Sequence, residues 1–392
     1  MTGYRFDEVI NRLNTGCRKW DAVEEVFGSK DVLPFWIADM DFAAVPAIQQ
    51  ALQAKANHGI YGYNTVGANF YESAQYWVKA RHQWEIDREW ILSAPGVVPS
   101  INLAIQAFTA PGDEIIIQTP VYPPFFSCIV KNKRQIIENP LINSNGYYEI
   151  DFEDLESKIT PRTKMLLLCS PHNPVGRVWT KEELLHLSDI CLRHNIIILA
   201  DEIHSDLIFK GHKHIPVASL SPEINQLTIT CISPSKTFNI AGLYSSFMIT
   251  ADQEKRDLLC QVMDALDFSK GNLFAVAAVE AAYYEGAAWL DQLLPYLESN
   301  AEYAVAYIGK HIPGIKVKKP EGTYLAWLDF RELFQEPALL KEFLIKKARV
   351  GLNDGTTFGK QGAGFARLNF ACPRSQLNEG LVRIKAAIDG QK

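Results

Sequence analysis

The chain has 392 residues, of which 47% are hydrophobic and 21% charged, and a formal net charge of −6. That length exceeds what one compact core usually holds, so a large and a smaller domain are expected, and the composition excludes disordered, collagen-like and disulfide-scaffold classes. The modest negative charge argues against broad binding to nucleic acid or to an anionic membrane, and seven cysteines without CxxC pairing read as reduced thiols.

Met1 to Trp20 is polar and has no apolar run of signal-peptide type, and no later apolar stretch is long enough to span a bilayer, so a cytoplasmic protein is expected. The string Phe35-Trp36-Ile37-Ala38-Asp39-Met40-Asp41-Phe42 ends an irregular segment, and a helix is predicted from Ala47 to Ala56. His58 to Asn64 reads as a loop whose two tyrosines, Tyr61 and Tyr63, must pack against a ligand or a second subunit. Phe70 to His82 is predicted helical, Ile91 to Ser93 a short strand, Val98 to Phe108 a helix and Glu114 to Gln118 an apolar strand.

Lys164 to Cys169, Ile196 to Ala200, Leu227 to Ile232 and Ser246 to Thr250 are then apolar without alternation. A helix from Thr180 to His194 carries Thr180 and Glu183 at capping-box spacing. Such strands, joined by helices, predict a mostly parallel sheet covered on both faces. This gives an α/β domain over residues 47–285. Residues 286–392 form a smaller α+β domain, with residues 1–46 returning to it. Its predicted elements are helices from Trp289 to His311, Ala338 to Lys347 and Leu377 to Asp389, and strands from Tyr324 to Leu328 and Ala366 to Phe370.

Several short motifs fall just after predicted strands, where open α/β sheets bind ligands. Lys236, in Ser233-Pro234-Ser235-Lys236, could form a Schiff base with a carbonyl compound while the serines donate to a phosphate; a surface lysine after a turn is the alternative. Asp201 could face a pyridine nitrogen or simply cap a helix. Asn173 sits in a rigid turn between prolines, and its amide could reach a ring hydroxyl or a carboxylate. Gly96-Val97-Val98 opens a helix and offers backbone N–H groups to an anion. Tyr122 could stack on a flat ring. Arg367, inside an apolar strand, needs a partner: a substrate carboxylate or an inter-domain acid. No metal-ligand set and no GxSxG hydrolase elbow is present.

Together these strings resemble fold-type I pyridoxal-phosphate enzymes of the class I/II aminotransferase superfamily, and more narrowly the MalY/PatB group of cystathionine beta-lyases. Asp201-Glu202-Ile203-His204-Ser205-Asp206-Leu207 and Pro234 to Leu243 carry most of that resemblance. It implies a large domain with a mostly parallel seven-stranded sheet and a homodimer with shared active sites. It implies pyridoxal 5'-phosphate on Lys236, with Asp201 at the ring nitrogen, Asn173 at the ring hydroxyl and Tyr122 stacked on the ring. Val97, Val98, Ser233 and Ser235 would bind the phosphate, Tyr61 would reach the neighbouring subunit's cofactor, and Arg367 would hold the substrate carboxylate.

Transaminases of this kind carry tyrosine where His204 stands, and an arginine near Ala241 to Tyr244; both departures resemble the lyase group. The implied reaction is α,β-elimination on cystathionine or related cysteine S-conjugates, giving a thiol, pyruvate and ammonia and serving methionine synthesis. A transaminase of the same fold and a secondary contact with a regulator protein are the alternatives. Trp36, Met40 and Phe42 are expected to line the entrance.

Overall fold

A computed structural model describes residues 3–268 and 271–390. Seven strands build the central sheet: β1 (Ile91–Ala94), β2 (Glu114–Ile117), β3 (Gln135–Glu138), β4 (Thr163–Cys169), β5 (Ile197–Asp201), β6 (Thr228–Ile232) and β7 (Ser246–Ile249). Their spatial order is β1-β7-β6-β5-β4-β2-β3. The inner strands read as unbroken apolar runs because helices cover both faces. Met165 and Leu167 point into a core shared with helices Val97–Phe108, Pro123–Lys131 and Gln253–Ala265. Leu166 and Leu168 point the other way, into a core with helix Lys181–Arg193. The Thr180–Glu183 capping box starts that helix as expected.

β7 departs from the parallel pattern. It pairs antiparallel with both β6 and β1. A parallel neighbour needs a helical crossover, and the loop from β6 to β7 holds only the short turn Pro234–Thr237 and one turn of 3-10 helix. The consequence is functional, because that loop stays at the sheet's carboxyl edge and carries Lys236.

The smaller layer is an antiparallel sheet in which Phe365–Asn369 lies between Leu325–Asp329 and Asn353–Asp354. Leu33–Pro34 pairs in parallel with Val350–Gly351, and the Asn369 N–H donates to the Phe35 carbonyl at 2.9 Å. The N-terminal segment is therefore stitched to the C-terminal part, and residues 35–42 run as a strap across the carboxyl edge of the large sheet. The predicted helix from Ala338 to Lys347 forms as an α-helix over Pro337–Glu342 that widens into a π-helix over Phe343–Ala348. Among the described residues, no helix is long and apolar enough to cross a membrane.

Candidate active site

The carboxyl ends of β1, β2, β4, β5 and β6 open into a cavity of about 760 Å³, closed on the far side by the strap and by Asn353, Phe358 and Arg367. Lys236, Asp201, Asn173, Tyr122, His204, Ser235, Gly96, Val97, Val98 and Arg367 all line it. Nine of these, from Gly96 to Lys236, meet because five strands end at one edge, and Arg367 enters from the smaller sheet.

Lys236 sits in the short turn after β6, and its Nζ donates to the Ala38 carbonyl of the strap at 2.6 Å. Burial, reinforced by Arg367, brings this amine down to about 8 against the opposing pull of Asp39 and Asp201. The loop is locked from both sides. Asn239, at φ +58°, accepts from the Met40 N–H at 3.0 Å and donates to the Met40 and Phe42 carbonyls at 2.9 Å each. Thr237 donates to buried Asp206 at 2.7 Å, an acid that also accepts from the Trp77 indole.

Asp201 ends β5. One carboxylate oxygen accepts from the Ile203 N–H at 3.2 Å within a turn, and no helix starts there for Asp201 to cap. Burial raises this carboxyl to about 7, despite the Ile203 N–H and Lys236. His204 is buried beside it, edge-on to Tyr324 at 5.7 Å, with an Nδ1 that has no protein partner. Burial, then Lys236 and Arg367, lower the imidazole to about 3, so it is neutral. Tyr122 caps helix Pro123–Lys131, and burial together with Asp201 pushes its phenol up to about 12.

Gly96 adopts φ +121°, a conformation that disfavours any side chain, and this aims the first turn of helix Val97–Phe108 at the cavity. The N–H groups of Val97 and Val98 have no acceptor within the helix. Ser235 lines the same cavity. Ser233 does not line the cavity. Its hydroxyl donates to the Ser245 carbonyl at 2.6 Å and accepts from the Ser235 N–H at 3.1 Å, so its role is to shape the loop. A backbone nest, a hydroxyl, a carboxyl lining the cavity and an amine whose pKa burial lowers fit the phosphate, ring nitrogen and aldehyde of pyridoxal phosphate.

Arg367 crosses from the smaller sheet. Its guanidinium donates to the Asn173 amide oxygen at 3.0 Å, the Trp36 carbonyl at 2.8 Å and the Asn353 amide oxygen at 2.6 Å, and its Nε has no partner. The first of these bonds leaves the Asn173 amide nitrogen free to donate into the cavity. Burial lowers Arg367 only to about 10, so it stays charged. Among the described residues, no carboxylate pairs with it. The salt bridge allowed by the sequence is therefore absent among the described residues.

Tyr61 lies apart from its own chain's cavity. It is 58% exposed, donates to the Ala56 carbonyl at 2.7 Å and packs on Phe274. Trp36 lines the cleft as expected, but Met40 and Phe42 do not; they face a separate outer pocket because the strap turns at Asp39. The sequence reading passed over Ala38, whose carbonyl accepts from both Lys236 and the Tyr324 hydroxyl, and Asn353, which orients Arg367. A backbone carbonyl leaves no trace in residue type, and Asn353 stands in no motif.

The chain is 46% identical over 384 residues to cystathionine beta-lyase PatB of Bacillus subtilis (strain 168), covering 98% of this chain and 99% of that protein. Its fold matches cystalysin from Treponema denticola, a structure containing pyridoxal 5'-phosphate, with a TM-score of 0.97, 38% identity and full coverage of both chains. It matches the pyridoxal-phosphate-bound C-S lyase of Staphylococcus hominis with a TM-score of 0.93 and 34% identity, covering 99% of this chain and 98% of that one. Residues 30–384 match the model of the aminotransferase class I and II family, and with relatives this similar along nearly its whole length the chain belongs to that family.

Proposed function

We propose that this protein is a pyridoxal-phosphate-dependent carbon–sulfur lyase that cleaves cysteine S-conjugates such as cystathionine by α,β-elimination. The observation that carries the reading is Arg367: a buried guanidinium, in reach of Asn173 and close enough to depress Lys236, with neutral acceptors only. A buried cation without an acid costs free energy until an anion arrives, and an amino-acid carboxylate is the anion of the right shape.

When bound, pyridoxal phosphate supplies a protonated pyridine ring that accepts the electron pair left at the substrate Cα. Asp201 holds the proton on the ring nitrogen; a cationic ring against it draws its own pKa back down. Asn173 donates to the ring hydroxyl, Tyr122 covers one ring face, and the Val97 and Val98 N–H groups with Ser235 hold the phosphate. Arg367 grips the substrate carboxylate and so orients Cα–H toward Lys236. Nζ of Lys236, with its pKa near neutrality, takes that proton as general base. The C–S bond then breaks and the thiol departs, while the remaining three-carbon fragment hydrolyses in water to pyruvate and ammonia.

Neutral His204, where transaminases carry tyrosine, and the lyase names of the relatives favour elimination over amino transfer. The exposed Tyr61 loop supports a homodimer in which Tyr61 serves the neighbouring subunit's cofactor. A cytoplasmic setting accords with the buried free thiols Cys128, Cys169, Cys191, Cys231 and Cys372. The test is to supply the loaded enzyme with cystathionine and no keto acid. Equal amounts of thiol and pyruvate are expected; amino transfer that needs a keto acid, without thiol release, would overturn the lyase assignment.

A further inference from the structure

Once ring, phosphate and α-carboxylate are placed, the substrate side chain is directed to what remains of the cleft wall. That wall is formed by Trp36, Ile37, Ala241, Tyr244, Phe358 and Arg18. Arg18 is the one charged side chain among them. It also lines the outer pocket, of about 490 Å³, that adjoins the cleft at Arg18 and Ala241, so it stands at the junction of the two.

Its backbone is fixed although its side chain is exposed. Lys19, next in sequence, is buried and bonds Asp41 at 2.6 Å, and the Trp36 indole donates to the Lys19 carbonyl at 3.0 Å. The acids around it are already engaged. Asp39 and Asp41 are held by Arg12 and Lys19, and Asp21 accepts the N–H groups of Asn14, Thr15 and Gly16. The Arg18 guanidinium makes no hydrogen bond or ion pair among the described residues, while its backbone carbonyl accepts from the Ala22 N–H at 3.3 Å. An uncompensated guanidinium on a fixed backbone at the throat of a cleft offers a forked donor to an incoming anion.

We propose that Arg18 is a specificity residue that binds a carboxylate at the distal end of the substrate side chain, so that thioethers carrying an acidic group beyond sulfur are preferred over neutral S-alkyl cysteines. The identity of the substrate rests on the lyase reading; the anion contact does not. An exposed charge-assisted bond of this kind is worth about tenfold in affinity and weakens with salt.

Two amino acids that contain no sulfur and cannot eliminate isolate the contact. 2-Aminosuberate and 2-aminooctanoate have the same chain length and differ in a terminal carboxylate. Their dissociation constants for the loaded holoenzyme can be read from the cofactor's absorbance. The preference for aminosuberate relative to aminooctanoate should fall about tenfold in Arg18→Gln and persist in Arg18→Lys, and added salt should shrink it in the unmodified enzyme and in Arg18→Lys but not in Arg18→Gln. An unchanged ratio in Arg18→Gln, or equal weakening of both ligands, overturns the proposal. Pyruvate release from cystathionine by the same preparations reports on the lyase reading separately.

Discussion

Two neighbouring groups of buried charge in this molecule are built on opposite plans. Under the strap, Lys19 and Arg12 meet Asp41 and Asp39, and the Trp20 indole completes the shell of Asp41 at 2.9 Å. Burial alone would raise Asp41, yet Lys19, Trp20 and Arg12 hold it below the usual carboxylate range. On the other side of the same strap, Lys236 and Arg367 are buried with backbone carbonyls and amide oxygens for company, and Asp201 is pushed up to about 7. The first group satisfies itself and fixes the strap. The second is left unbalanced, which is what a site does when its counter-ions belong to cofactor and substrate.

That contrast predicts different failures. The largest effect is expected from Arg367→Leu in the cleft: kcat/KM for cystathionine should fall about 10²–10³-fold, with a far smaller change in urea stability. If stability suffers as much as catalysis, Arg367 belongs with the structural group. The reverse holds under the strap. Asp41→Asn leaves buried Lys19 only its longer contacts with Asp39, at 3.4 and 3.5 Å, and should cost about 3 kcal/mol in urea unfolding; a variant as stable as the parent would erase the distinction.

The smallest effect is a matter of pH in the cofactor-free protein. Folded Asp201 keeps its proton up to about 7, whereas the unfolded chain releases it near 3.8. Its ionisation penalty is therefore absent below the unfolded value, grows as pH rises through that window, and is complete above 7. Asp201→Asn should raise the stability of the cofactor-free protein at pH 8 by on the order of 1 kcal/mol and leave it nearly unchanged at pH 4. A gain of equal size at both values would mean that the charge is not what the cleft resists.

Much of this was legible in the sequence. Apolar runs without alternation, such as Met165 to Cys169, specify strands buried on both faces, and the capping box at Thr180 specifies where a helix begins. Those are local effects of side-chain chemistry, so residue order suffices to find them. The edge strand Gln135–Glu138 escaped notice because its outer side is half exposed and its ends are polar. Motifs at strand ends likewise located Lys236, Asp201, Asn173 and Tyr122, since a sheet's carboxyl edge is fixed by the order of its elements.

What the tertiary structure alone decided is how those groups are charged and to what they are bonded. Nothing in the string around Ser233 distinguishes a phosphate donor from a hydroxyl spent on the Ser245 carbonyl. Nothing around Arg367 tells whether an acid waits opposite it, and among the described residues none does. Nor could sequence place the Ala38 carbonyl on Lys236, or leave the Arg18 guanidinium without a partner among the described residues at the throat. Burial and pairing depend on segments hundreds of residues apart, here the strap, the β6–β7 loop and the smaller sheet, so the site's electrostatics exist only once those three have met.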